Sequence, residues 1–131
     1  MIFVDTSAFV ALNNPKDPHH KKSLQVSLNL EKESAPFFTT NYILAESYTV
    51  ISQKVDKEAS VYFRENLDLR IRIVRVGESL EETAWEIFKE TRSKNVSYVD
   101  CTSFAAMKAF NIKRAFAFDD DFKRAGFSLL T

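Results

Sequence analysis

Glycine, proline and cysteine are scarce in this sequence: 131 positions hold two glycines, three prolines and one cysteine. Two glycines are too few for the glycine-rich loops that cradle phosphates in dinucleotide and P-loop sites, so those nucleotide-binding classes lose their usual signal. A lone Cys101 makes no intramolecular disulfide and no zinc cluster, and reads as a small buried apolar residue rather than a nucleophile. An excess of charge is missing as well. Lys and Arg number 18 and Asp and Glu 18, so no global basic field draws in nucleic acid, and any phosphate binding has to be local. No apolar run approaches the ~18 residues of a membrane span, and the opening "MIFV" is too short for a signal-peptide core. These absences predict a cytoplasmic protein with no membrane association.

What is present suffices for a single domain over residues 1–131, since 45% of the chain is hydrophobic. Ile2–Val4 and Ala115–Phe118 are short apolar runs of strand formers, and each leads directly to an aspartate. "APFFTT" (Ala35–Thr40) and "IRIVRV" (Ile71–Val76) are further strands, the latter alternating apolar and basic residues as an edge strand does. Ser128–Leu130 is a short last strand. Helical patterns lie between them. Ser79–Lys94 carries Leu80, Ala84, Ile87, Phe88 and Thr91 as an amphipathic stripe, and Lys57–Leu67 is a second surface helix. Asn41–Gln53 and Val99–Phe110 are apolar nearly all round, which marks buried helices. Asn13–Lys22 is a polar loop with Pro15 and Pro18. Alternation of this kind implies an α/β layer fold with a mostly parallel sheet.

Ligands of such sheets collect at the carboxyl ends of the strands, where the strand order reverses. Asp5 and Asp119 stand at two such ends. Glu46 sits on a largely apolar helix face, where its neighbours one turn away are Tyr42, Ile43, Thr49 and Val50. Asp100 opens the apolar helix "VDCTSFAAMKAF", where the helix dipole favours a negative charge. Each acid has a structural alternative. Asp5 can cap the helix that follows it, Ser97 and Asp100 nearly spell a capping box, and Glu46 can pair with a lysine or reach solvent. Asp120 reads as a solvated turn residue, because three adjacent side chains do not all point at one place. Should the four acids converge, their mutual repulsion calls for a divalent cation, and carboxylates without His or Cys suit Mg²⁺ or Mn²⁺. Such a cation stabilises charge on a phosphoryl oxygen and acidifies water, which is the chemistry of phosphodiester hydrolysis. Thr6, Thr40 and Ser103 can orient the acids or waters from behind.

Four segments resemble the PIN-domain nucleases, and especially the VapC-type toxin ribonucleases: "IFVDTSAFVAL", "TTNYILAE", "VSYVDCTSFAAM" and "AFAFDDDFKRAGF", in the family's order and spacing. The resemblance implies a three-layer α/β/α fold with strand order 3-2-1-4-5 and an acidic pocket for Mg²⁺ or Mn²⁺. It places the family's acids on Asp5, Glu46, Asp100 and Asp119, with Asp121 as a fifth member, and its hydroxyls on Thr6 and Ser103. It also implies cleavage of single-stranded RNA, a homodimer and a cognate antitoxin protein. On this reading Asp119 is a ligand, Asp121 a helper through water and Asp120 a turn residue, while Phe122 and Phe127 pack the segment on the core. His19 and His20 lead into the helix that begins near Lys21 rather than into catalysis. Lys108, Lys113, Arg114, Lys123 and Arg124 are either phosphate contacts or ordinary solvated surface.

Two rival readings remain at this point. Phosphoryl transfer through an aspartyl phosphate at Asp5 is disfavoured because position 7 is Ser rather than a second Asp. The other rival is a PIN domain that is not a toxin or is catalytically inactive, and binds RNA or a protein partner.

Overall fold

The computed structural model describes residues 1–130; Thr131, the last position of the expected domain, lies outside them. The chain runs β1 (Ile2–Val4), α1 (Thr6–Asn13), α2 (His20–Glu33), β2 (Phe37–Thr40), α3 (Asn41–Lys54) and α4 (Lys57–Glu65). It continues through β3 (Ile71–Val74), α5 (Glu78–Glu90), α6 (Tyr98–Ala109), β4 (Arg114–Phe116), α7 (Asp121–Arg124) and β5 (Ser128–Leu129). The five strands form one sheet in the order β3-β2-β1-β4-β5, with every neighbouring pair parallel. Helices fill the layers beside it, giving the expected three-layer α/β/α architecture.

β1 is the central strand, and Ile2, Phe3 and Val4 are all buried, as a strand covered on both faces requires. It pairs with β2 on one edge and β4 on the other. The strand order therefore reverses between β1 and β4, and the crevice at their carboxyl ends is where Asp5 and Asp119 emerge. The edge strand expected at residues 71–76 is β3, the outermost strand on its side.

Three elements depart from the sequence expectation for identifiable reasons. β4 stops at Phe116 instead of Phe118, because the Phe118 amide turns out of the ladder and donates to Ser7 Oγ at 2.9 Å. α5 stops at Glu90 rather than Lys94, where Thr91 adopts extended backbone and its hydroxyl bonds the Ile87 carbonyl. α3 is buried on one face only, through Ile43, Leu44, Ser47 and Ile51, so its apolar outer positions lie at a surface. α6 does match the expected buried helix, since Cys101 through Met107 are all inaccessible. No helix among the described residues is long and apolar enough to cross a membrane.

The segment after β4 is pinned to the core by aromatic packing. Phe122 is fully buried and meets Phe104 edge-on at 5.1 Å and Phe3 at 6.3 Å, while Phe127 lies 5.8 Å from Phe104. Between them Gly126 takes φ 98°, a left-handed turn that few other residues tolerate.

Candidate active site

The acids are positioned by helix starts. Asp5 is the N-cap of α1: its Oδ2 accepts from the Ser7 amide at 3.1 Å and from the Ser7 hydroxyl at 2.6 Å. Asp100 completes a capping box on α6, accepting from the Ser97 amide at 3.1 Å while Ser97 Oγ accepts from the Asp100 amide at 3.0 Å. The structural and chemical readings of these residues thus coexist, because a cap occupies one carboxylate oxygen and leaves the other free to face the crevice. Asp119 Oδ1 accepts from the Asp121 amide at 2.9 Å, closing the tight turn into α7. Asp121 is buried and accepts from Arg124 Nη1 at 2.8 Å, whereas Asp120 is exposed.

These elements open onto one cavity of about 370 Å³, lined by Asp5, Thr6, Glu46, Asp100 and Asp119. Within the cluster, one oxygen each from Asp100, Asp119 and Asp121 lies within 4.8 Å of the others. Asp121 therefore belongs to the acidic group, and Asp5 and Glu46 border the same space. Burial pushes the Asp5 carboxyl up to about 7, against the lowering effect of the Ser7 donors. Asp100 rises to about 6, first through burial and then through the charges of Asp119 and Glu46, with the Ser97 amide opposing. Asp119 is raised as well, mainly by burial and by the neighbouring Asp121 charge.

Carboxylates that resist ionisation together form an electrostatic demand for a cation. Two further atoms fit the same demand. Thr6 Oγ1, on the cavity wall, and Ser103 Oγ, one turn after Asp100 on α6 and outside that wall, are buried with no hydrogen-bond partner among the described residues, and both are hydroxyls expected to support the acids. An all-oxygen donor set of this kind suits Mg²⁺ or Mn²⁺. Thr40 behaves differently from expectation. It is fully buried as the N-cap of α3, its hydroxyl accepting from the Ile43 amide at 3.0 Å, and it is absent from the cavity wall.

Several wall residues escaped the sequence reading. Ser7 bridges Asp5 to the Phe118 amide, a role hidden because the second contact joins residues 111 positions apart. Lys54 also lines the cavity. Its signal was available, since Glu46, Val50 and Lys54 recur every four residues along one face of α3. His19 lines the cavity too, stacked on Phe118 with centroids 4.5 Å apart and planes 9° from parallel. His20 instead opens α2, its Nδ1 2.7 Å from the Ala11 carbonyl.

The basic residues near the last two motifs do not gather at the acids. Arg114 begins β4, at the far end from the crevice, and pairs with Glu33 at 2.9 Å. Lys108 lies in the last turn of α6, about two turns from Asp100. Only Arg124 of the five contacts one of the site carboxylates. A second cavity, of about 220 Å³, is walled largely by Phe9, Leu30, Phe37, Phe63 and Phe116, and its Asp68 is taken up by Arg70.

Comparison with known proteins bears on the family and the fold. Residues 2–128 match the PIN domain family model. The chain is 36% identical over 128 residues to the 23S rRNA-specific endonuclease VapC20 of Mycobacterium tuberculosis, in strains H37Rv and CDC 1551, covering 97% of this chain and 95% of the relative. The crystal structure of M. tuberculosis VapC20, a sarcin-ricin loop cleaving toxin, superposes with a TM-score of 0.87 over 97% of this chain and 96% of that one. FitAcB from Neisseria gonorrhoeae shares the fold at a TM-score of 0.69 and 18% identity, with coverage of 100% and 97%. With a nearly full-length family match and a relative of this identity, the chain belongs to the PIN-domain family.

Proposed function

We propose that this protein is a metal-dependent endoribonuclease, the toxin of a toxin-antitoxin pair. The observation that carries the reading is the convergence of Asp5, Glu46, Asp100 and Asp119 on one crevice at the carboxyl ends of β1 and β4. Asp5, Asp100 and Asp119 hold Mg²⁺ or Mn²⁺, with Asp121 beside them, and Thr6 and Ser103 direct their free hydroxyls to the acids or to water. The bound cation supplies charge neutralisation at the phosphoryl oxygens and lowers the pKa of water. Glu46 orients the attacking water and accepts its proton. Lys54, two turns along α3 from Glu46, contacts a neighbouring phosphate of the strand.

The substrate class is RNA in a single-stranded or looped segment. Ribosomal RNA is the first candidate, because VapC20 is a 23S rRNA-specific endonuclease. A cognate antitoxin that covers the crevice, a homodimer and a cytoplasmic location complete the reading. Trp85 and Phe88, stacked and partly exposed on α5, are suited to contact a second copy.

Cleavage of an end-labelled RNA carrying the sarcin-ricin loop, beside an unstructured RNA, tests this. Purified protein cuts in Mg²⁺ or Mn²⁺, excess chelator stops it, and Asp5→Asn lowers the rate about a thousandfold or more. Equal cutting by the parent and Asp5→Asn proteins would sink the assignment. Metal binding with no cutting of either RNA would instead favour a PIN domain that binds RNA or protein without turnover.

A further inference from the structure

The stacked His19–Phe118 pair is the one aromatic feature of an otherwise polar or aliphatic cavity wall. His19 is exposed, half-buried Phe118 directly precedes Asp119, and their rings are nearly parallel. One face of the imidazole is therefore spent on Phe118 while the residue remains open to solvent at the mouth of the acidic crevice. We propose that this pair is a base-stacking platform, on which the nucleobase next to the cleaved phosphate rests while the acids act on that phosphate. The proposal rests on the ribonuclease reading and adds what holds the strand in register.

The platform is tied to the chemistry by short bonds. The Phe118 amide donates to Ser7 Oγ at 2.9 Å, and the same hydroxyl donates to Asp5 Oδ2 at 2.6 Å. Beneath the pair, Phe116 meets Phe118 edge-on at 6.0 Å. On the loop side, the His19 amide donates to Asp17 Oδ1 at 2.8 Å, and Pro18 restricts the backbone just before it. A base placed on such a surface loses little freedom of the protein on binding, so the stacking energy is available for affinity. Aromatic stacking tolerates every base, because each has a π-face. The platform thus fixes the position of the phosphate relative to Asp5 and Asp119, and leaves base identity to other contacts. The role needs the face of the ring and no proton from it.

The test uses short oligoribonucleotides in which a single 2-aminopurine, a base whose fluorescence is quenched by stacking, is moved along the strand. Binding is read with the Asp5→Asn protein in Mg²⁺, so that the strand stays whole. One position is expected to be quenched on binding. Adding His19→Ala relieves that quench and weakens binding about tenfold or more, and His19→Phe restores both. Equal quench and affinity with His19→Ala would overturn the platform, as would damage by His19→Phe equal to that by His19→Ala, or an absence of quenching at every position. Cleavage by protein with Asp5 intact is followed on the same strands. Loss of cutting with the quench preserved would sink the nuclease and spare the platform. Cutting that is indifferent to His19→Ala would do the reverse.

Discussion

Asp5 and Asp100 are held by one kind of structure, and Asp119 and Asp121 by another. The first two carboxylates each bond backbone amides at the start of a helix, so their aim is set by amides that cannot move without fraying α1 or α6. Losing such a cap costs about 1 kcal/mol in helix stability. Asp119 and Asp121 sit on a turn and a four-residue helix, and Asp121 takes its bond from the side chain of Arg124, which is 72% exposed. A pair capped by helices is aimed before any cation arrives. Asp121 is the adjustable member of the second pair, since an exposed arginine is exchanged for another cation at small cost.

The largest effect that separates the two pairs is expected from Asp100→Asn. Cleavage falls about a thousandfold or more while the melting temperature stays within a few degrees, because asparagine still accepts the Ser97 amide. Next comes the pH dependence of the chelator-treated protein. Asp5, pushed up to about 7, and Asp100, to about 6, keep their protons in the folded chain where unfolded aspartate, near 3.8, has lost them. The folded state therefore binds more protons between about pH 4 and pH 7, and stability falls as pH rises through that window. Scanning calorimetry will show a melting temperature several degrees higher near pH 5 than near pH 7.5, and Asp5→Asn or added Mn²⁺ will flatten the slope. A flat profile in the parent would mean that the capped acids are ionised without a cation.

Changes on the adjustable side are smaller. Asp121→Asn lowers cleavage about tenfold and raises the Mg²⁺ concentration for half-maximal rate, whereas Arg124→Ala lowers that concentration by removing a competing cation. A shift of the same sign in both variants would break the comparison. The smallest effect belongs to Asp120→Asn, which stays within about twofold of the parent because the side chain faces solvent.

The same division decides what could be read before folding. Asp5 and Asp119 announced themselves because an acid directly after an apolar strand is costly without a purpose, and Asp100 because it opens an apolar helix where the dipole favours a negative charge, its capping box being the structural alternative. Strand order came from the family resemblance rather than from any residue pattern, and it fits the sheet. α3 was misjudged as buried all round, since composition alone does not reveal which apolar face a sheet covers. Thr40 looked like a supporting hydroxyl, and local capping claimed it. The places of His19 and Ser7 at the cavity were hidden for the opposite reason: each makes a contact with Phe118, near the other end of the chain.

That distance has a consequence for synthesis. The bond from the Phe118 amide to Ser7 spans 111 positions, and β4 completes the sheet beside β1 only after every earlier strand has been made. Domains form as their segments leave the ribosome, so a chain stopped anywhere before β4 lacks Asp119 and Asp121, however many of the earlier acids it carries. The acidic cluster of Asp100, Asp119 and Asp121 is therefore complete only when nearly the whole chain has been made.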